Sequence, residues 1–402
     1  MPYMEHAVAY ETYTAEYLAE RFEFPTINDQ QVAAINKAVH WYKGWQDRKH
    51  RRQVFSLAGY AGTGKTTIAR IIAELCCGMD WCQFIAPTGK AASRLRQKGC
   101  KNAKTLHQFI YNVRGEDEDG EPIFVAKGDL DERPRLVAMD ESSMVGVYDR
   151  DKILEHRIPL LALGDTGQIP PVKAQAWFVE GTTDVLLDQI ERNAGNIVRA
   201  SMFVRQGKRL PTKIYDDVTV KDGTITDEEL LSFLGEDAVV LCSYNSTRHH
   251  YNKRAREALG FSGTFPQVGE KIVCMFNQHG YQTMNGEQGI VIRYEAIPED
   301  DQDKDDPNGM MLVVVKSLTD GVERYAKFNP ASFSEYQDIR EEAVKKVGGW
   351  DFGYCLTIHK SQGSEWPLVL ILEELLRGVP YHQLMYTGIT RAITYLSIRR
   401  YK

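Results

Sequence analysis

Nowhere does the sequence hold the roughly 18–20 consecutive apolar residues that a bilayer-spanning helix needs. A secretory leader is also missing, because residues 1–20 are polar and acidic rather than basic and then apolar. Cysteine is sparse and odd in number, seven in 402 residues, which argues against a disulfide framework and for free thiols in a reducing cytosol. Cys76, Cys77, Cys82 and Cys100 lie near one another, but their spacing fits no regular zinc pattern and buried thiols are the expectation. A basic excess is absent too: the formal net charge is −6. That does not exclude a nucleic-acid partner, since an acidic protein can still line one groove with Lys and Arg. Repeats and low-complexity tracts are lacking. These absences leave a cytoplasmic globular protein without membrane contact, whose length exceeds one ordinary core and predicts two to three domains.

What is present is a series of short apolar runs. Residues 53–58, 82–86, 135–139 and 159–163 read as strands, and 66–76 reads as a helix with apolar residues on most faces. Strands of this kind alternating with helices predict an α/β fold with a parallel sheet covered on both faces, whose ligands bind beyond the carboxyl ends of the strands. A second set at 238–242, 354–358, 368–372 and 395–399 predicts a second sheet. Between its members, residues 269–349 carry strand-like runs around Asn285-Gly286, a hairpin signal, and an acidic loop at 298–309. A smaller insertion at 111–134 has a turn signal at Asp119-Gly120 between short arms.

One loop carries chemistry outright. Gly59-Tyr-Ala-Gly-Thr-Gly64-Lys65-Thr66 matches the phosphate-cradling pattern G-x-x-x-x-G-K-[ST], with a strand before it and a helix after. The glycines let backbone N–H groups turn inward around a phosphate, and the helix start adds a positive dipole end. Lys65 then reaches the β- and γ-phosphates and Thr66 ligates Mg²⁺. Gly59, Gly62, Thr63, Gly64 and Thr67 complete the expected nucleotide contacts. Asp140-Glu141 ends an apolar strand, where Asp140 can hold Mg²⁺ and Glu141 can take a proton from attacking water.

Further motifs narrow the class. Ala86-Pro-Thr-Gly-Lys90-Ala-Ala, Thr105-Leu-His107, Asp140-Glu-Ser-Ser, Gly164-Asp-Thr-Gly-Gln168-Ile-Pro-Pro171, Thr357-Ile-His-Lys-Ser-Gln-Gly-Ser364 and Tyr386-Thr-Gly-Ile-Thr-Arg391-Ala occur in that order. Their combination resembles superfamily 1B DNA helicases of the RecD-like and phage Dda type, over nearly the whole chain from about residue 27. The resemblance implies two RecA-like P-loop domains: residues 1–190 with the β-hairpin insertion at 111–134, and 191–268 together with 350–402, interrupted by an SH3-like β insertion at 269–349. It implies ATP and Mg²⁺ as cofactors, single-stranded and forked duplex DNA and replication or recombination proteins as partners, a monomer, and 5′ to 3′ movement.

Residue roles follow by position. Gln168 sits where an amide could sense the γ-phosphate or orient water, and Arg391 where a guanidinium could cross the cleft as an arginine finger. The resemblance adds Arg192 as a second arginine at that phosphate, Gln31 as an adenine reader with Gln30 as competitor, and Glu365, after Gly363, as a ribose contact. Thr88, Lys90, Thr105 and His107 after strands of the first domain, and Ser243, Asn245, Thr357, His359, Lys360 and Ser361 in the second, are the expected track for a strand. The 111–134 insertion resembles the family's duplex-splitting pin, with Phe124 either stacking at the fork or packing in a core. Three other readings stay open: a translocase that strips proteins without efficient unwinding, an RNA-directed motor, and a P-loop module that binds ATP without hydrolysing it.

Overall fold

The computed structural model describes residues 10–23, 27–116, 122–130, 132–171, 174–189, 195–276, 283–296, 309–334, 339–340 and 349–400. In the first half, helices α1 (Ala15–Phe22) and α2 (Asp29–Gln46) precede strand β1 (Val54–Gly59) and helix α3 (Lys65–Cys76). Asn28 starts α2 through a capping box with Gln31, so two orphan N–H groups are satisfied at once. There follow β2 (Cys82–Ala86), α4 (Gly89–Gln97), β3 (Lys104–Thr105) and the short α5 (Leu106–Ile110). The hairpin β4 (Tyr111–Glu116) and β5 (Pro122–Ala126) comes next. Then come β6 (Leu136–Met139), α6 (Val147–Glu155), β7 (Leu160–Gly164) and β8 (Val185–Leu187).

Six of these strands form one parallel sheet in the order β3-β2-β6-β7-β1-β8. Its two faces enter different cores, as strand periodicity demands. Leu161 and Leu163 of β7 join the cluster built with α2, α3 and α4, whereas Leu160 and Ala162 join the one that includes Ile153 of α6 and Phe109 of α5. Cys82 and Cys100 are buried in the first cluster, with Cys76 and Cys77 packed half-buried against it. Burial pushes the Cys77 and Cys100 thiols up to about 11. Among the described residues these cysteines are not part of any metal-ligating group.

The second half begins with α7 (Asn196–Arg205), β9 (Val218–Asp222), α8 (Asp227–Leu231), β10 (Ala238–Cys242) and α9 (Asn245–Ala258). An antiparallel sheet interrupts it, made of β11 (Lys271–Cys274), β12 (Gln288–Glu295), β13 (Met311–Ser317), β14 (Glu323–Phe328) and β15 (Trp350–Phe352), in the order β14-β13-β12-β11-β15. Residues 350–352, expected to reopen the second P-loop-type domain, instead pair with β11 in this inserted sheet. The chain then runs through β16 (Cys355–Thr357), β17 (Trp366–Glu373), α10 (Tyr381–Ile389) and β18 (Ala392–Arg400). These rejoin β9 and β10 in a second parallel sheet, β16-β10-β17-β18-β9. Val240 and Cys242 on one face of β10 share a core with Val313, Phe328 and Trp350 of the inserted sheet, so that insertion is packed onto the second sheet rather than tethered to it.

Candidate functional site

The carboxyl ends of the first sheet's strands and the amino ends of β17 and β18 in the second meet at one cavity of about 380 Å³. One wall is the loop after β1 and the start of α3, from Ala61 to Thr67; Arg94, Asp140, Glu141 and Gln168 extend it, and Glu365, Thr390 and Arg391 face it from the second sheet. The loop turns into α3 through Gly64 at φ 77, a left-handed conformation that residues with a Cβ adopt only at a cost. Lys65 folds back, its Nζ donating to the Gly59 and Tyr60 carbonyls at 2.7 and 3.0 Å. Thr66 Oγ1 donates to Asp140 Oδ2 at 3.1 Å, and Glu141 N donates to Asp140 Oδ1 at 2.9 Å.

Glu141 is itself held at φ 52, one of four described non-glycine residues at positive φ, and such strain concentrates at functional sites. Burial in the cleft, reinforced by the neighbouring Asp140 carboxylate, pushes its pKa above the ordinary range; Arg391, Lys65 and Arg94 pull the other way. Gln168 is 6% exposed and its Oε1 is buried without a hydrogen-bond partner. An orphan acceptor of this kind costs about 1–3 kcal/mol and is relieved by a donor such as water entering the cavity. Arg391 is 3% exposed and donates only to neutral groups: Thr387 O at 3.0 Å, Ser364 O at 3.1 Å and Thr390 Oγ1 at 3.0 Å. A buried guanidinium without a carboxylate partner among the described residues, facing Lys65 across the cavity, favours an anion between them.

Several residues in and around the cavity were not singled out from sequence. Arg94 lies on α4 and pairs with Glu365 at 2.5 Å. Burial works to raise the Glu365 pKa, but Arg94 more than offsets it and holds the carboxylate below its usual range. Tyr386, within the quoted last motif, donates from its hydroxyl to Asp165 Oδ2 at 2.6 Å and accepts from Ala61 N at 3.1 Å. Asp165 Oδ1 also accepts from Gly167 N at 3.0 Å, and burial raises its pKa. Ile169 N donates to Thr387 Oγ1 at 3.0 Å, and Gln362 Nε2 donates to Ile169 O at 3.1 Å. Arg205 of α7 lies over the Tyr60 ring at 3.6 Å. The phosphate loop and the segment after β7 are thus tied to the second sheet by side chains whose partners lie far away in sequence.

Other expected contacts are placed differently. Arg192 and the Asp119-Gly120 turn lie outside the described residues. Gln31 does not line the cavity: Oε1 accepts from Asn28 N at 3.0 Å and Nε2 donates to Thr63 O at 3.3 Å, so its amide braces the phosphate loop. Gln30 bonds Asp188 and the Gln189 backbone. Gly59 and Gly363 are also off the cavity wall. Among the track residues, three side chains are turned inward. Ser361 is buried and donates to Ile358 O, Ser243 is buried and donates to Glu374 O, and Thr105 is buried as the cap of α5. Their hydroxyls shape loops and do not reach outward.

Thr88, which caps α4, is half-buried, and so is Thr357, which accepts from Lys360 N; Asn245 and His107 are exposed. Lys90 lies over the Trp366 ring at 4.5 Å and is held down to about 8 by burial, with Arg94 adding to the effect. Lys360, also lowered to about 8 by burial, donates to Met275 O and to Asn285, which binds it to the inserted sheet. Burial lowers His359 as well. Phe124 is 43% exposed and packs edge-on to Tyr111 at 6.0 Å and near His107 at 5.9 Å, so it caps the hairpin root and is no core residue.

Two parallel sheets sharing one phosphate-type cavity define a P-loop protein with two RecA-like domains. The AAA domain family matches residues 26–221, and the UvrD-like helicase C-terminal domain family matches 352–398. The chain is 28% identical over 372 residues to the ATP-dependent RecD2 DNA helicase of Deinococcus radiodurans, covering 84% of this chain and 45% of that protein. It is 28% identical over 228 residues to the ATP-dependent DNA helicase dda of Enterobacteria phage T4, covering 52% of this chain and 49% of that protein. The chain therefore spans about half the length of these curated relatives. Its fold is similar to that of a Pif1 helicase solved for the structural basis of DNA unwinding at forked double-stranded DNA, with TM-score 0.54, 18% identity, and 93% and 92% of the two chains covered. It is likewise similar to Bacteroides Pif1 bound to single-stranded DNA, with TM-score 0.53, 19% identity and the same coverage. By its domains and relatives the chain is similar to ATP-dependent DNA helicases of the RecD2 and Dda type.

Proposed function

We propose that this chain is an ATP-driven motor on single-stranded DNA that moves 5′ to 3′ and unwinds duplex ahead of it. One observation carries the reading: Lys65, Glu141 and Gln168 of one sheet domain and Arg391 of the other line a single cavity. A triphosphate there draws Lys65 off the loop carbonyls and meets Arg391 from the far side. Glu141 accepts the proton of the attacking water and Gln168 Oε1 accepts its second hydrogen bond, satisfying the orphan oxygen. The Thr66 hydroxyl and Asp140 carboxylate, adjacent hard oxygen donors, fit Mg²⁺, which when bound neutralises charge on the phosphates.

Because both domains touch the same phosphates, cleavage removes what holds them together. Differential grip on the strand then turns opening and closing into a step. Support for a DNA track comes from Thr88, Lys90 and His107 beside the first sheet and Asn245, Thr357, His359 and Lys360 beside the second. The inserted sheet, tied to Lys360, would brace that track, and Arg192 would supply a second charge at the phosphate. The protein would act as a cytoplasmic monomer.

The test is ATPase activity with and without single-stranded DNA, followed by unwinding of duplexes with 5′ or 3′ tails. Strand-stimulated hydrolysis and unwinding from the 5′ tail are expected. ATPase indifferent to any strand would defeat the motor, and unwinding from the 3′ tail alone would defeat the polarity.

A further inference from the structure

On the edge of the first sheet opposite the phosphate loop lies a recess of about 600 Å³. Its wall includes Arg51 ahead of β1, Arg135 immediately before β6 and Pro159 immediately before β7, the amino ends of those parallel strands. Arg48, Arg133 and Arg157 complete a set of five arginines, with no Asp or Glu in the lining. The chain is acidic overall, so this is a local concentration of charge. Arg133 donates to His156 O at 2.9 Å and Arg135 stacks on the exposed Trp81 ring at 4.3 Å. Among the described residues none of the five makes an ion pair.

The backbone points the same way. Arg48 and Arg157, at φ 55 and 52, are two of the four described non-glycine residues at positive φ. They follow the ends of α2 and α6, where helices ordinarily place glycine in this conformation. The closing bonds are present: Lys49 N donates to Gly44 O at 2.9 Å, and Arg157 N to Leu154 O at 3.0 Å. A cation suits a helix C-terminus, but Lys43 and Lys152 already stand in the two last turns. The helix dipole therefore gives no reason to keep two strained arginines, whereas an anionic ligand in the recess does.

A neighbouring recess of about 790 Å³ shares Arg133 and Pro134 with the first and runs to Lys104, Gln108 and Lys127 at the root of the hairpin. Asp80 and Glu132 are the acids along that stretch. We propose that this arginine recess binds the phosphate backbone of nucleic acid that is not in the motor track: the duplex arm or the separated strand beyond the hairpin. Continuity with the hairpin root favours nucleic acid over an acidic peptide. The proposal rests on the motor reading.

The test measures equilibrium binding of the full chain to a single strand and to forks with or without the second tail, without ATP and across a salt series. In Arg48→Gly/Arg157→Gly both helix ends receive their ordinary residue. Its melting temperature should hold or rise while fork affinity falls several-fold and the salt slope drops by about two. Single-strand affinity and strand-stimulated ATPase should stay unchanged. Arg51→Glu/Arg135→Glu should weaken fork binding further. A loss confined to forks with the second tail assigns the separated strand; a loss on both assigns the duplex arm.

Unchanged fork affinity and salt slope in both variants would overturn the site, as would an equal loss of single-strand binding. So would oligoglutamate binding the wild type but not the variants while fork binding stays intact, because the recess would then serve an acidic protein. Wild type lacking strand-stimulated ATPase would instead overturn the motor, since fork binding is read without ATP.

Discussion

At the residue scale, the cavity separates binding from chemistry. Glu141 lines the same cavity, but the Lys65 and Thr66 side chains bond Gly59, Tyr60 and Asp140 rather than Glu141, so its loss leaves that cradle intact. Glu141→Gln should therefore bind ATP nearly normally and lower kcat by about 10²–10⁴-fold, read by steady-state hydrolysis beside nucleotide titration. Near-normal turnover would remove Glu141 as the base. Its raised pKa also sets a pH dependence. A base works deprotonated, so kcat should fall as pH drops through a value above the ordinary glutamate range, and this acidic limb should vanish in Glu141→Gln. Among the described residues Arg391 makes no ion pair that its removal would orphan. Arg391→Ala should cost hydrolysis by about 10³-fold or more with little change in nucleotide affinity, and unchanged turnover would show that it never reaches the phosphate.

At the scale of elements, the β4–β5 hairpin stands outside both parallel sheets and, among the described residues, pairs only with itself. Its root is fixed by Phe124 against Tyr111 and His107, so the hairpin is anchored to the segment that begins α5. Deleting residues 114–123 should spare strand-stimulated ATPase and reduce unwinding of a fork at least several-fold. Loss of both activities together would mean that the hairpin serves the motor rather than the split. The hairpin and inserted sheet were both legible as strand-like runs with turn signals. Their partners were not, because an alternating run states which face is apolar and not which surface will cover it. Hence the boundary expected at residue 350 falls inside the inserted sheet: Trp350-Asp351-Phe352 carries no sign of its partner, and only pairing with β11 decides.

At the scale of the whole molecule, the two domains are joined near the phosphate loop by hydrogen bonds through Tyr386, Thr387 and Gln362. Tyr386→Phe keeps the ring and removes both bonds of its hydroxyl, each worth about 1 kcal/mol. The nucleotide-free protein should then spend more time open, read as a longer mean distance between fluorophores placed on the two domains, while saturating ATP should restore closure. An unchanged distance would show that packing alone sets the arrangement.

The sequence by itself determined the fold class, the phosphate loop, the carboxylate pair after β6 and the order of the motifs. These are local: a strand, a turn and a helix start specify one another within a dozen residues. Tertiary structure alone decided which motif residues face the cavity and which are spent inside. Ser361 and Thr105 carry the right chemistry in the right motif, yet burial turns them into loop supports. Arg94 and Asp165 gained their roles from Glu365 and Tyr386, more than two hundred residues away. A side chain's polarity is written at its own position, but its partner is chosen by how the two sheets pack.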